Sequence, residues 1–171
     1  ALGSTLDFAD LNGLSDIVDT ADGISFRYFG SECALSLIGE HQVKNAITAI
    51  AAVFRLRQQG YDIPEPALRE GLHRAFIPAR FERVSKTPPF IVDGGHNVQC
   101  IEAAAAALLR YYPNKRHIIL CGVMADKDVG GMLDLLAPIA DDFVATTPDN
   151  PRALPAADLA EMMKARSVKA S

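Results

Sequence analysis

The sequence predicts an α/β protein whose C-terminal part is Rossmann-like, with a mostly parallel sheet and flanking helices, preceded by a strand-helix tail. Two observations predict this class. Apolar runs alternate with helical stripes from about residue 80 onward, which is the order of a parallel sheet with right-handed crossovers. One of these runs, HIILCGV at 117–123, is continuously apolar, as expected for a strand that is buried on both faces.

The first part of the chain is predicted to contain two strands followed by two helices. GISFRYFG at 23–30 and ALSLIG at 34–39 are the predicted strands, joined by a turn near Gly30-Ser31. Apolar residues then recur at helical spacing on one face, and Gly60 is expected to end that helix. A second helix is predicted to begin at Pro64 and Pro66 and to run to about Ala75. The predicted apolar face of the first helix consists of Val43, Ala46, Ile47, Ile50, Ala51 and Phe54.

The second part follows a predicted linker, FIPAR at 76–80. Two predicted strands come first, and helices alternate with strands after them. The sequence ends in SVKAS at 167–171, where a further strand is expected to begin, so we expect the sheet to be unfinished at this end. The predicted strands are RFERVS, PFIVD, HIILCGV and DFVATT, and the predicted helices cover about 101–112, 129–139 and 156–165.

Composition argues against several classes of function. The formal net charge of -4, without a lysine or arginine block, argues against a nucleic-acid surface but leaves a nucleotide pocket open. No apolar run approaches the roughly 20 residues of a membrane span. The cysteines lack CxxC spacing, which favours buried free thiols in a reducing compartment such as the cytoplasm. The histidines lack HxxxH or HExxH spacing, which argues against zinc. These residues are Cys33, Cys100, Cys121, His41, His73, His96 and His117.

Two polar loops, at 93–97 and 122–128, are the first candidate sites. Each follows an apolar strand and precedes a helix, and ligands of open α/β sheets sit beyond the carboxyl ends of the strands. Glycines let the backbone approach a ligand, and a helix N-terminus favours an anion. The alternative is that Asn97 and Asp128 are only helix caps and the glycines only turns. No GxGxxG is present, so a dinucleotide fingerprint is not supported.

A third candidate cluster opens the long helix. His41, Gln42 and Asn45 are spaced to share a face away from the apolar stripe. One interpretation is a solvated helix face. The other is an adenine contact, because an asparagine amide matches the N6/N7 edge of adenine. Arg80, between the two parts, is either a surface charge or a group that grips phosphate in a bidentate fork.

Four segments together resemble the folylpolyglutamate synthases, which include bifunctional dihydrofolate synthases and belong to the Mur ligase superfamily. The segments are LIGEHQVKNAITAIAAV, PARFERV, FIVDGGHN and GVMADKD, in the order and spacing of that family. The sequence departs from the family pattern where the family usually has glycine at Ala79, often alanine at Gly95 and often proline at Val98. These changes leave the polar residues intact.

The resemblance implies an ATP-dependent ligase that adds L-glutamate to folate and, in bifunctional members, to dihydropteroate as well. ATP phosphorylates a substrate carboxylate, magnesium bridges the phosphates, and the amine of glutamate attacks the acyl phosphate. Residues 1–77 would be the end of a central ATP-binding domain and residues 78–171 an incomplete C-terminal α/β domain. No GxxxxGK[ST] occurs in the sequence, so we expect the chain alone to be inactive and assign no metal ligand in it.

The functional residues of the family match five positions of this sequence. Asn45 resembles the asparagine that contacts adenine, Arg80 the arginine that reaches the ATP phosphates, and Asp93 the acid that contacts the ribose hydroxyls and steadies that arginine. His96 resembles the histidine between nucleotide and glutamate, and is the candidate catalytic residue. Lys127 resembles the lysine whose ammonium meets a carboxylate of the incoming glutamate. The resemblance also implies a monomer with small-molecule partners only, and neither a nucleic acid nor a membrane.

Two other functions stay open at the level of the sequence. One is a non-catalytic α/β nucleotide-binding module in which the polar loops are only turns and caps. The other is a Mur-type ligase that adds an amino acid to a peptidoglycan precursor. A phosphate loop elsewhere in the protein would exclude the binding module, and acceptor and amino-acid specificity would separate the two ligases.

Overall fold

The structure is a computed structural model that describes residue 6 and residues 8–166. This part of the chain contains both helices and strands. This mixed composition confirms the predicted α/β class. The chain divides into two units, Ala1–Val92 and Asp93–Ser171. No helix in the described part is both long and apolar enough to cross a membrane.

The first unit is built on three antiparallel strands, β1 (Leu14–Thr20), β2 (Gly23–Tyr28) and β3 (Ser31–Leu35), which lie side by side in that order. Phe29 (φ +46°) and Gly30 (φ +78°) join β2 to β3, because a two-residue hairpin that follows the strand twist needs left-handed dihedrals at both positions. The sequence did not single out β1, whose polar residues and irregular pairing with β2 obscure the alternation.

Two helices, α1 (His41–Gln58) and α2 (Glu65–His73), pack with this sheet into one core. The predicted face of α1 is buried over its first turns, whereas Phe54 is 42% exposed. Gly60 (φ +94°) follows the end of α1 in the left-handed conformation that commonly terminates a helix. The buried residues of this core are Ile24, Phe26, Tyr28, Cys33, Leu35, Val43, Ala46, Ile47, Ile50, Leu68 and Leu72.

The prediction that the polar residues of α1 share a face away from the apolar stripe is wrong for Gln42, which is buried. Its side chain is 3% exposed. Its amide Nε2 lies 3.1 Å from Nε2 of His41, and its Oε1 accepts a hydrogen bond from Nδ2 of Asn45 at 3.1 Å. A buried amide requires such partners, because leaving one unsatisfied costs about 1–3 kcal/mol. The three side chains therefore form a hydrogen-bonded row that begins in the core and reaches the surface at Asn45.

The next two strands, β4 (Glu82–Lys86) and β5 (Pro89–Val92), form an antiparallel hairpin rather than part of the parallel sheet. Only two residues connect them, and so short a connection joins antiparallel neighbours. Arg83 and Lys86 form ion pairs with Asp22, and the hydrogen bond from Arg83 lowers the pKa of that carboxyl. The hairpin is thereby tied to the first unit, and the domain boundary between residues 77 and 78 stays a prediction.

The second unit contains the parallel pairing that the sequence predicted. α3 (Val98–Tyr111) leads to β6 (Ile118–Cys121), and α4 (Val129–Leu136) connects β6 to β7 (Asp142–Ala145), which runs parallel to it; α5 (Ala156–Lys164) follows. The helices and one face of the strands share a core. Its buried residues are Ile101, Val123, Val129, Met132, Leu133, Leu136, Phe143, Leu159 and Met163.

The opposite face of β6 is exposed, which corrects the prediction that this strand is buried on both faces. Ile118 and Leu120 are 63% and 62% exposed, whereas Ile119 and Cys121 pack against the core. Side chains alternate across a strand, so a layer of helices on one side covers only every second residue. The further strand predicted at 167–171 lies outside the described residues.

Replacing Ala79 by glycine is expected to stabilise the first unit by about 0.5–1 kcal/mol. Ala79 has φ +51°, a left-handed conformation that costs most L-residues about 1–2 kcal/mol. Part of the gain is lost again because glycine makes the unfolded chain more flexible. The glycine that is usual at this position in the resembled family fits the same conformation.

Urea unfolding of the two proteins measures this difference. The control is Ala49→Gly, at an exposed position inside α1, which should lose about 1 kcal/mol. A comparable loss at position 79 would contradict the left-handed assignment.

Candidate functional site

The loop at 93–97 follows β5 and leads into α3. Asp93 is half-buried, and its Oδ1 accepts a hydrogen bond from the backbone N–H of Gly95 at 2.7 Å, which closes a tight turn. Asn97 caps α3 by accepting a hydrogen bond from the backbone N–H three residues on at 2.9 Å. His96 is exposed, and its Nδ1 lies 3.3 Å from a backbone carbonyl of the same loop. The predicted cap is confirmed, and the loop presents the imidazole of His96 to solvent.

The loop at 122–128 follows β6 and leads into α4. Its carboxylate at Asp128 accepts a hydrogen bond from the backbone N–H of Gly131 at 2.9 Å and caps α4, as predicted. The backbone N–H of Lys127 donates to the carbonyl of Met124 at 3.2 Å and closes a turn. Lys127 therefore sits at the end of a turn, immediately before the cap of a helix.

These two loops are neighbours because the first turns of α3 and α4 touch. Gly131 lies in the first turn of α4, and a Cβ atom built on it would be 3.0 Å from Cγ2 of Val98, the first residue of α3. The second unit thus holds the segments that carry Asp93, His96 and Lys127 beside adjoining helix N-termini, where backbone N–H groups favour anionic ligands.

A third loop, at 146–155 between β7 and α5, was not singled out from the sequence. Main-chain hydrogen bonds pair it with the 122–128 loop. A signal was available, because PDNPRALP is polar, proline-rich and placed directly after the predicted strand DFVATT, at the same edge as the other loops. The contacts are N of Ala125 to O of Arg152 at 2.8 Å, N of Leu154 to O of Val123 at 2.9 Å, and an isolated bridge between Met124 and Ala153.

Replacing Gly122 by alanine is expected to destabilise the second unit by about 1–2 kcal/mol. A Cβ atom at this position would lie 2.9 Å from Cγ of Pro148 and 2.9 Å from Cγ2 of Thr146. A proline ring has little freedom to move away, so the two loops would have to separate. Thermal or urea unfolding measures the loss.

The matched control for this change is Gly130→Ala in the same unit. The nearest atoms to a Cβ at Gly130 are 3.8 and 3.9 Å away, and the residue lies inside α4, so alanine should be neutral or stabilising. Equal behaviour of the two variants would mean that Gly122 does not pack against Pro148.

Lys127 stands between two acidic residues that both have other partners. Asp126 pairs with Arg152, Oδ2 to Nη1 at 3.3 Å, and Asp128 is used as the cap of α4. Lys127 is half-buried, and its ammonium forms no ion pair with any described residue. Lys127 therefore forms no surface ion pair with either neighbouring acid, Asp126 or Asp128.

Asn45 and Arg80 belong to the first unit. Asn45 is exposed on the first turns of α1 and is held by Gln42. Arg80 is exposed and stands between Ala79 and Phe81, both of which are left-handed. The side chain of Phe81 is buried, so the chain is anchored directly after the arginine. Both residues are placed at the surface of this unit, and their roles toward ATP stay predictions.

The three cysteines are free thiols, as predicted, but only Cys33 is buried, whereas Cys100 and Cys121 are half-buried. Cys121 ends β6 directly before the 122–128 loop, and burial raises the pKa of its thiol to about 11. Such a thiol is protonated at neutral pH and is no nucleophile. No group of three or more His, Cys, Asp or Glu side chains among residue 6 and residues 8–166 is placed to hold a metal ion.

Raising the pH from about 9 to about 11 is expected to lower the free energy of unfolding of the second unit by about 1–2 kcal/mol through Cys121. A thiol whose pKa is raised by folding stabilises the folded state below its unfolded pKa, and this contribution is lost as the pH rises through the folded pKa. Urea unfolding at several pH values should show a shallower slope for Cys121→Ser than for wild type. Cys100→Ser is the control, and a slope as shallow as that of Cys121→Ser would contradict the assignment.

Comparisons with known proteins give one family and consistent relatives. The family model described as Mur ligase, glutamate ligase domain, matches residues 79–171. The dihydrofolate synthase/folylpolyglutamate synthase of Escherichia coli strain K12 is 35% identical over 117 residues, which are 68% of this chain and 27% of that protein. The chain thus spans about a quarter of that relative's length.

Two solved structures are similar in fold as well as in sequence. The Mycobacterium tuberculosis folylpolyglutamate synthase complexed with ADP superposes with a TM-score of 0.80 at 28% identity, over 92% of this chain and 37% of that chain. A bifunctional folylpolyglutamate synthase/dihydrofolate synthase with Mn, AMPPNP and L-glutamate bound superposes with a TM-score of 0.65 at 26% identity, over 89% of this chain and 36% of that chain.

Proposed function

The chain belongs to the Mur ligase family through its glutamate ligase domain, and we propose that it is part of an ATP-dependent ligase that adds L-glutamate to folate, or to dihydropteroate as well. The ligase forms an amide bond between a carboxylate of the acceptor and the amine of glutamate, through an acyl phosphate made from ATP. The names of the relatives support this acceptor and this amino acid.

The observation that carries the proposal is the arrangement around Lys127. Its ammonium has no carboxylate partner among the described residues, although acids flank it on both sides. It also stands directly before the N-terminus of α4, whose backbone adds positive potential. An amino-acid carboxylate placed there gains both interactions, so we assign Lys127 to a carboxylate of glutamate.

Three residues are assigned to different groups of the nucleotide. We assign adenine to Asn45, the ATP phosphates to Arg80 and the ribose to Asp93. The donor set fits these groups, since an amide pairs with a base edge, a guanidinium with phosphate oxygens and a carboxylate with hydroxyl groups. His96 is assigned to the space between nucleotide and glutamate. Its ring is exposed and not packed in the core, so it can contact a ligand.

Magnesium would neutralise phosphate charge during the transfer. None of the described residues is assigned to it, because none of their acidic or histidine side chains cluster for coordination. The free thiols support a reducing compartment, which we propose is the cytoplasm, and we propose a monomer.

Purified full-length ligase tests this function. We expect formation of glutamylated product and ADP that depends on ATP, magnesium and L-glutamate, with folate and pteroate compounds compared as acceptors. Residues 1–171 alone serve as the control and should make no product, because their sequence contains no GxxxxGK[ST] to hold the phosphates. Turnover with a peptidoglycan precursor instead of a folate would indicate a Mur-type ligase that acts on peptidoglycan precursors. The absence of ligation with any acceptor would favour a binding module.

A further inference from the structure

Arg152 is attached to the 122–128 loop by both its main chain and its side chain. Its carbonyl accepts the hydrogen bond from Ala125, and its guanidinium pairs with the carboxylate of Asp126 at 3.3 Å. Its own backbone N–H donates to Oδ1 of Asn150 at 2.9 Å, which fixes the turn from which the side chain leaves. The arginine is therefore held in position from the 146–155 loop and reaches across to the acid beside Lys127.

The ion pair between Arg152 and Asp126 determines whether the ammonium of Lys127 has a neighbouring carboxylate to pair with. Asp126 is the residue before Lys127 and is about half exposed, so without a partner its carboxylate is close enough in the chain to compete for the ammonium. Asp128, on the other side, is occupied by the cap of α4. With Arg152 in place, neither neighbouring acid neutralises the lysine, and its charge is left for a carboxylate that arrives with the substrate.

We propose that Arg152 is a positioning residue that holds Asp126 away from Lys127 and thereby keeps the glutamate-binding ammonium unpaired. This inference rests on the proposed role of Lys127 as a ligand of glutamate. It differs from a direct contact between Arg152 and substrate, because the arginine acts only through Asp126.

The test is a double-mutant cycle in the full-length ligase, with the KM for glutamate measured at saturating ATP and folate. Arg152→Ala should raise that KM about threefold to fivefold, since an exposed ion pair is worth at most about 1 kcal/mol. Adding Asp126→Asn to Arg152→Ala should return the KM to within about twofold of wild type, because no acid is left to compete. Arg152→Lys should retain most of the wild-type affinity, and the KM for ATP should be unchanged throughout.

Two outcomes would overturn the proposal. If the double variant binds glutamate as weakly as Arg152→Ala, then the arginine contacts substrate itself or only stabilises the loop. If Arg152→Ala leaves the KM for glutamate unchanged while Lys127→Ala raises it, then Asp126 does not compete for the ammonium.

A second readout separates this proposal from the assignment of Lys127 to glutamate. The rate at which acetic anhydride labels Lys127, followed by peptide mass spectrometry without substrate, reports whether the ammonium is paired. Labelling should slow about twofold to fivefold in Arg152→Ala and recover in the double variant. If labelling slows and recovers in this way but Lys127→Ala leaves the KM for glutamate unchanged, then the ion-pair exchange is supported and only the role of Lys127 toward glutamate is rejected. Equal labelling rates in all variants would reject the ion-pair exchange.

Discussion

Lys127→Ala in the full-length ligase is expected to raise the KM for glutamate by about one to two orders of magnitude. The change removes a charge-assisted contact that forms with the bound substrate, which is worth about 1.5–3 kcal/mol. The KM for ATP should change little, because adenine, ribose and phosphates are assigned to other residues. Thermal stability should also change little, since the ammonium has no ion pair to lose among the described residues.

Steady-state kinetics with glutamate varied at saturating ATP and folate provide the measurement. Lys115→Ala is the matched control, because Lys115 is an exposed lysine of the same unit in the turn after α3. A folded Lys127→Ala enzyme with a normal KM for glutamate would show that this lysine does not bind glutamate, and the amino-acid site would be left unassigned.

Asp93→Asn is expected to lower kcat/KM for ATP by about one to two orders of magnitude while leaving the loop folded. Oδ1 of Asp93 accepts a hydrogen bond from the backbone of Gly95 at 2.7 Å, and an asparagine carbonyl accepts the same bond. The substitution therefore keeps the turn and removes the charge. The loss expected for a charge-assisted contact to the nucleotide is about 1.5–3 kcal/mol.

Asp10→Asn is the control for this substitution. Asp10 accepts a hydrogen bond from the backbone N–H of Asn12 at 2.9 Å, so it closes a turn of the same length, and it is not among the residues assigned to the nucleotide. It should leave ATP kinetics unchanged. Wild-type kinetics with ATP in both variants would remove Asp93 from the nucleotide site.

The helices and the buried halves of the strands could be predicted from the sequence because their signals are local. The 3.6-residue spacing of Val43, Ala46, Ile47 and Ile50 marks α1, and all four residues are buried. The exposure of Ile118 and Leu120 could not be predicted in this way, because it depends on which elements cover the second face of β6. The antiparallel pairing of β4 with β5 depends on connection length, which an order of strands and helices does not convey.

The candidate site divides in the same manner. The caps at Asn97 and Asp128 follow from residue type and position, and the structure contains both. The pairing of Asp126 with Arg152 joins residues 26 positions apart, so only the folded chain brings them together. The burial of Gln42 was missed because an amide at the border between the apolar and the polar face of a helix can point toward either face. In the structure its direction is fixed by its contacts with His41 and Asn45.

The main-chain pairing of the 122–128 and 146–155 loops has a consequence for how the ligase can change over generations. Backbone atoms of Ala125, Arg152, Val123 and Leu154 make these bonds, and every residue type except proline at a donor supplies them. Apart from Gly122 and Pro148, which pack against each other, side chains on the two loops can therefore be exchanged while these main-chain bonds persist. Selection for a different amino acid or acceptor could act on these positions one substitution at a time, without passing through variants that no longer fold.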